Sequence, residues 1–440
     1  MVITVLRGLL GVAFILGVAF LVSNNRRHIN WRIVVAGLSL QLLLAVLILK
    51  GDEMGAVFAP LGWPKAFFAW ISGFFVLILQ FTEAGASFVF GQLGLSPGSE
   101  GATGTVYFAF QVLPTIVFFS SLMSILYFFG VMQWIVRGMA VLVARALGTS
   151  GAESLSVTAN IFVGQTEAPL VIRPFIERMT QSELMAVMAG GMATIAGGVM
   201  AAYIAMLGTA FAQAQGIPLD AARLVFAEQL LGASLMAAPA ALMLAKIMVP
   251  ETAVPETRGR VDVEIETGAR NAIDAAAAGA ADGLKLALNV AGMLIAFIAL
   301  IAMFNYFIGW TAGLFGYELT LQQILGWMLA PVAWIIGVPW ADAVDFGSLL
   351  GIKVVLNEFV AYLSLAGDLG EGTLLPKTVV MATFALCGFA NFSSIAIQIG
   401  GIGPLAPSRT SELAQLGMRA VLAGTLANMM TATIAGVLVG

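Results

Sequence analysis

Charge is what this chain has least of. Only 10% of its 440 residues are Asp, Glu, Lys or Arg, 60% are hydrophobic, and the mean hydropathy is +0.98. Water-soluble domains carry about a quarter charged residues, so the composition argues against a soluble globular protein. A single cysteine, Cys387, excludes an intramolecular disulfide, and His28 is the only histidine. Zinc sites and Ser-His or Cys-His catalytic pairs have no basis here. The net charge is −4 and the basic residues are scattered, so nothing indicates a nucleic-acid partner. What the chain does have is long apolar runs and 49 glycines, as expected where helices pack closely in lipid or are deliberately broken. The fold class this predicts is an all-α polytopic membrane protein.

Taken in order, Val2 to Ser23 is long enough to span and lacks a small-residue cleavage pattern, so it reads as a retained helix rather than a signal peptide. The basic loop Asn24 to Arg32 belongs in the cytoplasm, and Ile33 to Leu49 returns outward. Met54 to Leu95 is apolar but interrupted by Pro60, Pro64, Glu83 and glycines. Both a span and an interfacial segment fit it. Val106 to Val131 crosses inward to an amphipathic interfacial stretch, 132–147, held at the cytoplasmic face by Arg137 and Arg145.

The segment 150–179 is too short and too broken for two crossings of about 20 residues each, and Arg173 and Arg178 return it to the cytoplasmic side. It reads as a re-entrant hairpin opening inward, with its tip at Asn160 to Pro169. Ser182 to Leu207 crosses outward with four glycines between Ala189 and Gly198, which invite unwinding. Ala221 to Met248 crosses back to a charge-dense linker, 249–270, flanked or carried by Lys246, Arg258, Arg260 and Arg270. Ala275 to Ile308 leads outward again. Leu321 to Trp340 is apolar and split by Pro331 and Pro339. A second hairpin follows at 342–368, with its tip at Val355 to Val360. Thr378 to Gly400 crosses inward, interrupted between Cys387 and Ser394, and Leu413 to Val439 is the last span. The total is about eight transmembrane helices plus two hairpins.

The two halves repeat. Gly190 to Gly197 aligns with Cys387 to Ser394, placing Thr194 opposite Asn391; Glu167 falls opposite Glu358, and Ala233 to Met243 matches Ala420 to Met430. Three crossings separate the hairpin units, so the second opens outward. Such inverted repeats are a recurrent plan of secondary transporters, with the ligand at the midplane.

Asn160, Gln165, Thr166, Glu167 and Glu358 sit in runs otherwise fit for a membrane interior, where an ionised carboxylate costs several kcal/mol unless it is wet or partnered. A carboxylate can accept two hydroxyls of a sugar, and an amide such as Gln165 can donate and accept along the edge of a planar base. The set fits a neutral polyhydroxyl or heterocyclic solute better than an anion. Asn391, Ser393 and Ser394 fit either ligand contact or helix capping. Phe389 and Phe392 can cover a ring face or simply pack. Asn428 is a ligand candidate or an interhelical hydrogen-bonding residue. Freed carbonyls near Asn160, Val163, Thr194 and Ile195, with the Thr194 hydroxyl, suit sodium. Proton coupling would instead use Glu167 and Glu358. Those two carboxylates would also serve an intramembrane enzyme as acid and base, and a channel is a third reading.

Gly164-Gln-Thr-Glu-Ala-Pro169, Asn357-Glu-Phe-Val-Ala-Tyr362 and Gly388-Phe-Ala-Asn-Phe-Ser-Ser-Ile395, in that order, resemble the concentrative nucleoside transporters, with the match running from about Val106 to Thr431. The resemblance implies a homotrimer in a bacterial cytoplasmic (inner) membrane, with one nucleoside site per protomer and no organic cofactor. It implies a scaffold, 1–131 and 250–320, and an elevator-type transport domain, 132–249 and 321–440. It also implies that Gln165, Thr166 and Glu167 approach the nucleobase, with Val199 packed against it. Glu358, Asn391 and Ser394 would hold the ribose, and Phe389 would line the pocket. The family's sodium site maps onto Asn160, Val163, Thr194 and Ile195. Thr194 departs from an expected serine but keeps the hydroxyl. Some bacterial relatives use protons.

Overall fold

The computed structural model describes residues 2–97, 101–102, 107–259 and 269–440; Val106 and Arg260, used above to bound a span and to mark the linker, lie outside them. Every regular element among the described residues is helical. That suits a chain whose backbone must satisfy its own hydrogen bonds in lipid.

Helix Thr410–Val439 organises the rest. At about 1.5 Å per residue its 30 residues extend roughly 45 Å, more than the hydrocarbon thickness of about 30 Å. At its start Arg409 donates from Nη1 to the Met179 and Glu177 carbonyls at 2.7 and 3.1 Å, where the first hairpin ends. At its other end, a Cβ on Gly440 would lie 2.6 Å from Lys377 Cδ, just past the second hairpin. The two hairpins therefore enter from opposite faces. Helices Gln181–Gln215 (interrupted), Leu219–Met248 and Ala272–Gly313 are the three crossings between them, which is the condition for inverted repeats.

Each hairpin stops half way. The first has a nine-residue helix, Gly151–Ala159, about 14 Å long. Its turn leads into a 3-10 helix, Ala168–Ile172, and a single helical turn, Arg173–Ile176, so the returning arm is more irregular than the going one. Pro169 sits in the first turn of that 3-10 piece, where its missing N–H costs nothing. The second hairpin is regular: Ala343–Val355, a two-residue turn, and Glu358–Glu371. Its base is closed by Leu375 N donating to Asp342 Oδ2 at 3.0 Å.

The base of the first hairpin is stitched by charge. Ser150 and Thr180 each begin a helix with a reciprocal capping box, and Ser150 Oγ donates to Glu183 Oε1 at 2.5 Å. Lys246 Nζ, 5% exposed, pairs with Glu153 Oε2 at 2.7 Å and Glu251 Oε2 at 3.2 Å. The broken helices interrupt where little else can: Gln181–Ala193 stops before Thr194 and resumes at Gly197–Gln215, while Pro376–Leu386 resumes at Phe392–Ile402. Gly190 and Gly191, expected within the unwound stretch, stay helical, and the break falls three residues later.

One sequence expectation changes, and one reading left open is resolved. Pro331 does not split its segment; Leu321–Ile335 runs through it, because a proline removes one intrahelical bond without forcing a stop, and the chain turns only at Gly337, φ +112°. Met54 to Leu95 contains a 28-residue helix, Trp63–Phe90, long and apolar enough to cross, yet both its ends lie on one face. It begins where Lys65 packs on Gly51 at the end of Trp31–Leu49. That helix starts on the linker face, where Asn24 N bonds to Met248 O. It finishes with Phe90 against Phe110, ring centroids 5.1 Å apart, at the start of Leu113–Phe128. The latter runs antiparallel to Ala272–Gly313, with Ser124 against Gly279 near the linker, so its start is on the far face. Trp63–Phe90 therefore lies along the far face. Eight crossings remain among the described residues, two of them the interrupted helices.

Burial separates the helices by surroundings. The most apolar stretch of Leu219–Met248 is 94% buried and that of Ala272–Gly313 only 11%, so the first is core and the second presents its sides to lipid or a neighbour.

Candidate functional site

The hairpin tips and the two breaks converge on one cavity of about 180 Å³. A larger cleft, about 840 Å³, lies between Trp63–Phe90 and the start of Leu219–Met248 and contains no hairpin residue. Gln165, Thr166, Glu167, Val199, Glu358, Phe389, Asn391 and Ser394 all stand on the wall of the smaller cavity. Phe392 does not; it is exposed.

Glu358 opens helix Glu358–Glu371, with Asn357 capping the helix by accepting from Val360 N at 2.9 Å. Its Oε2 accepts from Asn391 Nδ2 at 2.9 Å and its Oε1 from Tyr203 Oη at 3.2 Å. A carboxylate has about four acceptor positions, so the two side-chain bonds leave it capacity to accept from a guest. Asn391 both caps and contacts: its Oδ1 accepts from Ser394 N at 2.9 Å and Ser393 Oγ at 2.7 Å. The two readings of that residue are compatible because an amide has two ends.

Gln165 is buried and held at both ends. Its Nε2 donates to Ser394 Oγ at 3.0 Å and its Oε1 accepts from Gln398 Nε2, also at 3.0 Å. Gly191 leaves the room for this pair, since a Cβ there would lie 2.8 Å from Gln398 Nε2. Glu167 is exposed, and its Oε2 accepts from Gly164 N in its own turn at 3.1 Å. Val199 lies in the first turn after the break, and Leu286, Val290, Met293 and Leu294 of the long helix Ala272–Gly313 close the apolar side.

The cation candidates cluster where the first tip meets the first break. Gly197 N donates to Phe162 O at 3.0 Å instead of to its own helix, which brings the 160–163 and 194–196 segments together. Asn160 Nδ2 donates to Ser156 O at 3.1 Å, while its Oδ1 is buried without a partner. A buried oxygen left unpaired is costly, and a sodium ion is a fitting partner for it. Thr194 Oγ1, also buried, donates to Gly190 O at 2.9 Å and keeps its lone pairs. These residues fit the ion.

Sequence reasoning passed over Tyr203, Gln398 and Lys353. Lys353 is wholly buried, its Nζ donating to Ala385 O at 2.8 Å and Asn428 Oδ1 at 2.7 Å. Its one sequence signal is a lysine five residues before Glu358 in an apolar arm. Asn428 is not on the cavity wall; it bonds between helices.

Two half-crossing hairpins and two interrupted helices closing on one pocket that carries carboxylate and amide groups define a secondary transporter. Three family models match: Na+ dependent nucleoside transporter N-terminus over 10–93, nucleoside recognition (Gate) over 109–210, and Na+ dependent nucleoside transporter C-terminus over 229–436. The nucleoside permease NupC of Helicobacter pylori is 39% identical over 100% of this chain and 99% of its own length. The structure of CNTnw in an inward-facing substrate-bound state is 44% identical, covers 99% of this chain and 98% of its own, and superposes with a TM-score of 0.85. A variant of CNTnw in an outward-facing state gives 43% identity, 100% and 99% coverage, and a TM-score of 0.87. The chain belongs to the Na+ dependent, concentrative nucleoside transporters. It is a transporter of nucleosides and not an enzyme.

Proposed function

We propose that this protein imports nucleosides, uridine among them, down a sodium gradient by an elevator movement. The observation that carries the reading is Glu358, which stands on the cavity wall while Asn391 and Tyr203 hold its two carboxylate oxygens still. Two adjacent hydroxyls of a ribose match that pair of acceptors, with Ser394 and Asn391 beside them. Gln165, with Thr166 and Glu167, faces the base, Val199 packs on its ring, and Phe389 covers the pocket. Sodium takes Asn160, Val163, Thr194 and Ile195, supported by the unpaired Asn160 Oδ1.

The moving body is 132–249 with 321–440, and 1–131 with 250–320 is the scaffold. Support comes from the contrast between the buried Leu219–Met248 and the exposed Ala272–Gly313. That exposed helix also suits a homotrimer interface. More basic residues flank the linker face than the far face, which assigns the linker face to the cytoplasm of a bacterial inner membrane.

The test is uridine uptake into proteoliposomes under separately imposed gradients. Removal of the inward sodium gradient abolishes uptake on this reading. Uptake driven by a pH gradient without sodium would move the assignment to proton symport, for which Glu167 and Glu358 are the available carboxylates.

A further inference from the structure

Breaking a helix frees carbonyls, and here both breaks send theirs to one side chain. In an unbroken helix Ala193 O would accept from Gly197 N and Cys387 O from Asn391 N. Instead Gly197 N donates to Phe162 O, and Asn391 N to Phe389 O. The Nδ2 of Asn428 supplies both missing protons, at 2.7 Å to Ala193 O and 2.6 Å to Cys387 O.

The amide has no freedom to reverse. Lys353 Nζ can only donate, so the Asn428 oxygen must face it, at 2.7 Å, and the nitrogen must face the breaks. Gly388 makes the approach possible; a Cβ there would lie 2.4 Å from Asn428 Oδ1 and 2.7 Å from Ala193 O. A second link runs beside it, Phe389 N donating to Thr194 O at 3.3 Å.

Neither residue is part of the repeat. By the alignment of the two halves, Asn428 stands opposite Ala241 and Lys353 opposite Phe162, and neither counterpart has a polar side chain. An asparagine serving only to join helices has no reason to bridge two breaks. This one joins Ala193, next to Thr194 and Ile195, to Cys387, four residues before the Asn391 that holds Glu358.

We infer that Asn428 is the positioning residue that couples cation occupancy at the first break to substrate affinity at the second, with Lys353 fixing its orientation. This rests on the assignment of sodium to the first break and sugar to the second. Order imposed at Thr194 and Ile195 by an ion is passed through the shared Nδ2 to the Cys387 carbonyl, and from there to Asn391 and Glu358. Lys353 reaches the same place from the first arm of the second hairpin, so its tip is set by the same junction.

The experiment is equilibrium binding of labelled uridine to purified protein in sodium and in choline, with melting temperatures measured with and without sodium. Wild type should bind uridine at least about tenfold more tightly in sodium. Asn428→Asp keeps the volume and a partner for Lys353 but removes both donated protons. It should bring the sodium-to-choline affinity ratio close to one while sodium alone still raises the melting temperature. Should that variant not fold, Lys353→Gln is measured in its place, with the same collapse of the ratio expected. A wild-type ratio in a folded variant, with only total binding or stability reduced, overturns the inference and leaves Asn428 a structural bond. No sodium effect on uridine affinity in wild type overturns the sodium reading itself, and the inference with it.

Discussion

Asn391 turns one end of its amide to its own helix and the other to Glu358. Oδ1 accepts from Ser394 N at 2.9 Å, and Nδ2 donates to Glu358 Oε2 at 2.9 Å. The cap and the carboxylate are thus aligned by one side chain, and a guest that bonds Glu358 meets a group already oriented. Asn391→Ala removes both bonds. A hydrogen bond to a charged group contributes about 1.5–3 kcal/mol, so uridine affinity should fall by roughly ten- to a hundredfold. Glu358→Ala should abolish measurable uptake. Equilibrium binding and uptake of labelled uridine check both, and near-normal affinity in Glu358→Ala would contradict the ribose assignment.

Gln398 holds Gln165 Oε1, and on the proposed reading it therefore acts on the base through Gln165. With Gln398→Ala, Gln165 Oε1 loses its partner and the Gln165 amide is free to turn. Discrimination between uridine and cytidine should weaken, because the edges of those bases exchange donor for acceptor. Gln165→Ala with Gln398→Ala should be no worse than Gln165→Ala alone, since the two residues act as one unit. Competition of unlabelled nucleosides against uridine uptake reads the result; additive losses would separate the pair.

At the base of the first hairpin, Lys246 holds Glu153, 1% exposed, at 2.7 Å. Lys246→Met leaves that carboxylate buried without its cation, a loss of about 3–5 kcal/mol. The melting temperature of the purified protein should drop by several degrees. Lys246→Met combined with Glu153→Leu should recover most of the loss. Failure to recover would show that Glu251, which Lys246 also reaches at 3.2 Å, carries the interaction.

The far-face placement of Trp63–Phe90 has a labelling consequence. In a background with Cys387→Ala, single cysteines replacing Asp52 and Gln92 should react with an impermeant maleimide from the same side of the membrane, and one replacing Asn24 from the other. Opposite reactivity at Asp52 and Gln92 would make the helix a span and reverse the direction assigned to Leu113–Phe128.

The hairpins were legible because their tips place Gln165, Glu167 and Glu358 in runs too apolar to hold them otherwise. The breaks were legible from glycine and from Asn391, although Gly190 and Gly191 mark close packing against Val157 and Gln165 rather than the interruption itself. Tyr203, Gln398 and Lys353 were not legible. Each lies within an ordinary helical run, and their partners stand 155, 233 and 75 residues away in sequence. Helices buried on every side also lack the polar face that would single such residues out. Hydropathy measures whether Trp63–Phe90 can cross, not where its ends are tied. Those ties, to Gly51 and Phe110, are contacts of tertiary structure. The eight residues expected at the site stand together on the cavity wall.

Helix Thr410–Val439, clasped by Arg409 at one end and neighbouring Lys377 at the other, works as a spacer bar for the pocket. Its length determines how deep each tip descends, so the gap between Glu167 and Glu358 is gauged from the outside of the protein inward. One extra turn would part the two anchorages by about 5 Å and leave both half-sites intact but unable to grip the same guest.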